Sequence, residues 1–382
     1  MATDNYSQFD EIRPFNPSEL PAVYDRLLAS EQFRKVLTYL YPGVDMQTIA
    51  GMMHRCRTNL EFQKALCYPF LEQLLAKASH GCDMDASAID SGKRYTFVSN
   101  HRDIVLDSAL LDKMLIDNGF TTTCEIAIGD NLLSLPWVRD LVRVNKSFIV
   151  ERSLQPRQML MASKRLSEYM HLVISDKNDN IWIAQREGRA KDSDDRTQPS
   201  VLKMMAMGGD RNPIESLKQM HIVPLAISYE YDPCDYLKAR EFQLKRDVEG
   251  WKKSPQDDVE SMRVGIMGFK GRIHYHCAPC VDDWLESIGS TLPKTELFNA
   301  LAEEIDKRIF SSYRLYANNY VAAHKLGDTD YSDKFTKEEE ETFMRYIDGQ
   351  LTKIDIPDKD EEYLRERLLV MYANPLFNSL MV

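Results

Sequence analysis

A histidine able to take a proton near neutral pH stands in the stretch Phe97 to Leu111, FVSNHRDIVLDSALL, with two aspartates close behind it. Imidazole has the right pKa for general-base work at pH 7, and a carboxylate beside it fixes the tautomer and stabilises the imidazolium that forms. His101 and Asp107 would supply such a pair. It would strip an alcohol of its proton as the oxygen attacks an activated carbonyl, a thioester for example, with no serine or cysteine nucleophile. Six positions along a helix turn through roughly 600°, and along a strand they span about 20 Å, so neither regular element brings the two residues together. A strand ending at Asn100, a turn at His101, Asp103 as N-cap and a helix from Ile104 would fold the imidazole back. Asp103 reads as the cap before it reads as the acid, and it remains the alternative partner of His101.

Basic residues gather downstream. Seven of them between Arg139 and Arg165 face only Asp140 and Glu151, a local excess of positive charge in a chain whose net charge is −11. That excess invites an anionic ligand, although single members of it are equally well explained as solvated helix faces. The overall negative charge argues against nucleic acid as the main partner.

The elements that must position these groups follow from hydrophobic spacing. From Pro17 to about Ala78 apolar residues recur at helical intervals, Leu20, Val23, Tyr24, Leu27 and Leu28 among them, and predict several packed helices. The polar run His80 to Lys93 reads as a linker. Short β-branched or aromatic runs then alternate with helical patterns: Tyr95 to Ser99, Ile104 to Ile116, Glu125 to Ile128, Phe148 to Val150, Met159 to Ile174, Ile181 to Ala184 and Ile222 to Tyr229. Such alternation implies an α/β fold, a mixed sheet flanked by helices. Val264 to Cys277 reads as further strand, and beyond Leu292 the pattern is helical again, with the acidic run Lys337 to Glu341 opening a solvated helix. The expected organisation is a helical N-terminal domain over 1–85, an α/β domain over 86–330 and a helical C-terminal extension over 331–382.

With 43% apolar and 28% charged residues, the chain belongs to the ordinary globular class. No apolar run is long enough to span a membrane, and Met1 to Phe15 lacks the basic start and apolar core of a signal peptide. Seven cysteines without framework spacing suit reduced thiols, so the expected location is cytoplasmic, with peripheral contact at the inner face of a membrane. His274 to Cys280, HYHCAPC, has zinc-ligand types but crowds them into one strand-like run, so no metal is expected. The methionines at 159, 161, 170, 204, 205 and 207 read as core filling ahead of an acyl channel. Asp130 and Trp137 could border a membrane-facing mouth or simply pack.

Four stretches, in order, carry a family resemblance. Asn100 to Asp107 resembles the first motif of the glycerol-3-phosphate and lysophosphatidate acyltransferases, which have Asn-His or Ser-His, four residues, then Asp; here five residues intervene. Val144 to Ser153 is similar to the second motif, with Arg152 as its basic residue, and Asn180 to Lys191 to the third, with Gly188, Arg189 and, for the second arginine, Lys191. The run Ile181-Trp-Ile-Ala184 looks most like the soluble plant plastid glycerol-3-phosphate enzymes, and Glu187 falls one residue off a glutamate of the bacterial branch. His221 to Asp232 is similar to the fourth motif, whose proline, here Pro224, lies on the acyl-donor side.

The resemblance implies transfer of a fatty acyl group from acyl-CoA or an acyl-carrier protein to a hydroxyl of glycerol-3-phosphate. His101 would be the base, Asp107 its partner, and Arg152, Gly188, Arg189 and Lys191 the acceptor site, with no cofactor. Lysophosphatidate is the alternative acceptor, an amine a more distant one, and a non-catalytic lipid- or membrane-surface-binding protein the alternative from another class.

Overall fold

The computed structural model describes residues 6–152, 154–288, 292–327 and 331–382; Ser153, the last residue of the second motif, and Met1 to Asn5 lie outside the described residues. Five helices open the chain: α1 Leu20–Ala29, α2 Glu31–Leu40, α3 Met46–Arg55, α4 Asn59–Phe62 and α5 Tyr68–Ala78. Local chemistry starts three of them. Ser30 and Asp45 accept the Phe33 and Thr48 amides, and Thr58 and Glu61 cap each other's backbone reciprocally. The apolar faces of α1 to α4 meet in one cluster, Leu20, Val23, Tyr24, Leu27, Phe33 and Ile49 included, that also holds Val144 of the central region.

The centre is a seven-stranded sheet built from β1 Cys82–Asp85, β2 Thr96–Ser99, β3 Cys124–Gly129, β4 Ser147–Val150, β5 Asn180–Ala184, β6 Ile222–Tyr229 and β7 Ile273–Cys277, in the order β1-β7-β6-β2-β5-β3-β4. Only the β6–β7 pair is antiparallel. Helices α6 Leu106–Asp117, α7 Pro136–Val144, α8 Pro156–Ser175, α9 Pro199–Met205, α10 Pro213–Lys218, α11 Asp235–Asp247 and α12 Pro255–Met267 connect these strands. One sheet face packs on α8, α9 and α14 (Lys294–Ser311, which follows α13, Asp282–Ile288), and the other on α5 and α6. Three last helices, α15 Ala317–Lys325, α16 Lys337–Thr352 and α17 Glu361–Ser379, bury a separate cluster against Ala239 of α11. The expected mixed sheet flanked by helices is therefore the fold.

Three expected elements change. The polar run at His80 is no linker: its Cys82–Asp85 pairs with β7, and the His80 amide donates to the Gly271 carbonyl at 2.7 Å. Val264 to Cys277 is not continuous strand. Its first residues end α12, whose start is fixed ten residues upstream where Ser254 and Asp257 cap each other, and strand begins only at Ile273. The helix expected from Ile104 starts at Leu106, because Asp103 Oδ1 accepts both the Val105 and the Leu106 amides at 2.8 Å and holds residues 104–105 in a turn.

Strand β6 is buried along its whole length between β7 and β2. Pro224 is tolerated there because it precedes the first β7 rung, Leu225 to Cys277, while its carbonyl still accepts the Ala278 amide at 2.9 Å. One rung beyond β2, Asn100 continues the pairing with its side chain. Its amide donates to the Ile227 carbonyl at 2.9 Å and its oxygen accepts the Ile227 N–H at 2.8 Å. Asn100→Ala leaves a buried donor and acceptor of Ile227 unpaired, a loss of about 3 kcal/mol. Thermal denaturation should show a lowered midpoint, and an unchanged one would mean that the amide bears no weight.

Candidate active site

The carboxyl ends of the parallel strands β2, β5, β3 and β4 lie along one edge of the sheet, so the segments that follow them gather there. His101 leaves β2 in the turn just described. Its Nδ1 lies 2.8 Å from Asp107 Oδ2, and that same oxygen accepts the Arg102 and Asp103 amides at 2.6 and 3.0 Å. The side chain of Asp107 is wholly buried and that of His101 is 14% exposed. With Nδ1 turned to the carboxylate, Nε2 is the nitrogen left to exchange a proton with a ligand. Trp182 of β5 stands edge-on to the imidazole, ring centroids 5.6 Å apart, and its indole N–H donates to Ser99 at 3.0 Å, which fixes the ring against the base. Of the two candidate acids the structure pairs Asp107 with His101 and gives Asp103 to the cap. Burial, reinforced by the neighbouring charge of Asp107, pushes the Asp103 carboxyl above the usual range.

The turn is also held from behind, by residues that no local motif announces. Arg102 is buried against Asp195 at 2.8 Å and lies over the Tyr313 ring, whose hydroxyl donates to the same carboxylate. Its carbonyl accepts from Lys238 of α11, which pairs in turn with Asp232. The Asp232 amide donates to the Tyr372 hydroxyl on α17 at 3.0 Å. Gly265 of α12 completes the support, since a Cβ there would stand 2.0 Å from Asp103 Oδ2.

The third motif leaves β5 at the same edge. Gly188 has φ +70°, a conformation that glycine adopts without strain, and Arg189 turns inward to 8% exposure. Among the described residues Arg189 makes no ion pair, and its buried Nη1 has no hydrogen-bonding partner. It lines a cavity with Lys191, Lys238, Arg240 and Lys253. Lys191 stands 3.1 Å from Glu241, yet burial, and after it the charge of Arg189, lower its ammonium to about 8. Arg240 and Lys253 are paired with Asp257 and Asp258. The cavity thus contains one buried guanidinium in no ion pair among the described residues, beside an amine that a second anion would help to protonate, an arrangement suited to a phosphate. Lys238 and Arg240 come from α11 and Lys253 from the segment that follows it, some fifty residues past the motif, and their sequence spacing carried no sign of it.

Arg152 is placed otherwise. It lies over Gly129, is about one-third exposed, and meets Glu187 at 3.6 Å rather than lining the cavity of Arg189 and Lys191. Pro224 sits inside β6. The zinc-type residues also separate: His274 and His276 of β7 turn to Asp83 and Asp85 of β1, while Cys280 approaches His221 and Asp282, whose ligand-type atoms all fall within 4.8 Å.

Residues 83–228 match the family model described as Acyltransferase. Over that span, which runs from β1 through nearly all of β6, the chain carries an acyltransferase domain. The match agrees with the resemblance as far as an acyltransferase domain, without singling out the plastid branch. No curated protein sequence matches the chain. Among solved structures, the 1-acyl-sn-glycerophosphate (LPA) acyltransferase PlsC from Thermotoga maritima is similar at 12% identity and a TM-score of 0.37, over 76% of this chain and 92% of that one. A likeness that low carries no argument about function.

Gly265→Ala tests the support of the turn. Asp103 cannot yield without loosening the cap at Leu106, so acyl-transfer turnover should fall at least tenfold with little loss of helix content; equal turnover in the variant would show that the turn does not depend on this contact.

Proposed function

We propose that the protein moves a fatty acyl group from an acyl-CoA or acyl-carrier-protein thioester to a hydroxyl of glycerol-3-phosphate. The helices over 1–85 and 331–382 would flank the α/β unit, 86–330, that does the chemistry. The observation that carries the reading is a buried Arg189, in no ion pair among the described residues and with Nη1 unpartnered, at the same sheet edge as a histidine locked to a carboxylate. Arg189 is near enough to act electrostatically on Asp103, two residues from His101, so base and anion pocket are close neighbours.

In this mechanism the acceptor phosphate lies against Arg189 and Lys191, with Gly188 permitting the bend, while Arg152, expected as a further acceptor contact, stays with Glu187 outside that cavity. A glycerol hydroxyl then gives its proton to His101 Nε2 as its oxygen adds to the thioester carbonyl. Asp107 holds the Nδ1–H and stabilises the imidazolium. Collapse of the tetrahedral intermediate breaks the C–S bond, and the departing thiolate takes up the proton. The acyl chain would approach from the side of β6 that carries Pro224. Work of this kind belongs at the inner face of a membrane, in contact with the cytoplasm.

Thiol release from long-chain acyl-CoA and acyl-carrier protein, against glycerol-3-phosphate, lysophosphatidate and plain glycerol, tests the assignment. Phosphorylated acceptors should be strongly preferred, and His101→Ala should lower turnover about a thousandfold with folding intact. Equal rates with and without phosphate would remove Arg189 and Lys191 from the acceptor site.

Lys191 adds a pH signature. Its lowered pKa, about 8, means that the ammonium is charged at pH 7 and largely neutral at pH 9. KM for the phosphorylated acceptor should therefore rise about tenfold between those values, and Lys191→Arg should flatten the rise. A slope that persists in the arginine variant would place the titrating group elsewhere.

A further inference from the structure

The N-terminal end of α8 is built against the ordinary rule for a helix beside a sheet. Met159, Leu160 and Met161 are 44%, 63% and 70% exposed, whereas Leu166, Tyr169, Met170 and Val173 of the same helix are buried. Three consecutive residues span about 200° of a helix, so an outward-facing stripe cannot account for them: this turn stands clear of the protein body. Nor do they fill the core, as the sequence suggested for the methionines; Met170 and Met205 do that.

Position gives the exposed turn a meaning. It follows β4, whose carboxyl end lies at the same sheet edge as that of β2, which leads to His101. Leu135, also exposed, immediately precedes α7 after β3 at that edge. Exposed Arg157 and Lys164 flank the apolar turn; Lys164 reaches Glu168 only at 3.6 Å, and Arg157 has no ion pair among the described residues. Arg165, by contrast, is engaged by Glu151 and Glu11.

We propose that the projecting N-terminal end of α8 inserts into the interfacial layer of an anionic bilayer, with Met159, Leu160 and Met161 among the acyl chains and Arg157 and Lys164 on the lipid phosphates. A bilayer fits better than a protein partner, because hydrocarbon surrounds an inserted turn on every side, while a protein surface meets only one side of it. The basic flank matches anionic headgroups and not zwitterionic ones. No described helix is long and apolar enough to cross a membrane, so contact through this turn would be interfacial. The inference rests on the proposed acyl transfer only for its purpose, bringing the carboxyl edge to where long-chain substrates reside.

Co-sedimentation of the full chain with vesicles of phosphatidylglycerol and phosphatidylcholine, and with phosphatidylcholine alone, measures the contact without any turnover. Wild-type protein should bind the anionic vesicles in a salt-sensitive way. Leu160→Glu with Met161→Glu should lower partitioning about tenfold at an unchanged melting temperature, and Arg157→Glu with Lys164→Glu should erase the preference for anionic lipid. Turnover on a short-chain thioester that forms no micelles should be unaffected in both variants. Wild-type protein that ignores vesicles, or an apolar-turn variant that binds them as well, overturns the proposal. So does a wild-type dimer that the Leu160 and Met161 changes split, which would assign the turn to a second copy, or capture of an acidic acyl-carrier protein by the same turn in the absence of vesicle binding. Vesicle binding by a protein inactive on every acceptor would instead overturn the acyl-transfer reading and leave the docking surface standing.

Discussion

One carboxylate oxygen organises the candidate active site. Asp107 Oδ2 collects the imidazole of His101 and the backbone N–H groups of Arg102 and Asp103, so the atom that orients the base also folds the loop that carries it. The extra residue between His101 and Asp107, compared with the family pattern, is accommodated in this loop. Asp103 caps the helix, residues 104–105 make one turn, and Asp107 enters the helix already aimed back at the strand end. Geometry and chemistry are thus one arrangement, and neither can change alone.

The surrounding fold exists to keep that turn still. Residues 83–228 contain the base, its partner and the third-motif arginine, but several of the groups that brace them lie outside the span: Lys238, Gly265, Tyr313 and Tyr372 come from helices, or the segments between them, that follow β6. The cation pocket is divided in the same way, with Arg189 and Lys191 from inside the span and Lys238, Arg240 and Lys253 from beyond it. A domain match over part of the chain therefore describes the reacting groups better than it describes what holds them.

That division also explains what could be read from sequence. Pairs close along the chain were legible: His101 with Asp107, Asp103 as a cap, and strands β2 to β6 from their short apolar runs. Contacts made by long-range closure were not. The edge strand at Cys82 hid in a polar stretch because its partner is nearly two hundred residues away, and the end of α12 passed for strand because its start signal at Ser254 lies outside the alternating window. The exposed methionines of α8 share their composition with buried ones, so side-chain type alone could not separate them.

Asn100 shows how a chain can leave a sheet without breaking it. Its carboxamide offers Ile227 the donor and acceptor that a peptide group would have offered, so hydrogen bonding continues past the last residue of β2 while the main chain is already turning away. The backbone gains freedom of direction one residue earlier than strand geometry would otherwise allow. The imidazole that follows projects from a surface as stiff as a strand, along a bearing no strand could give it.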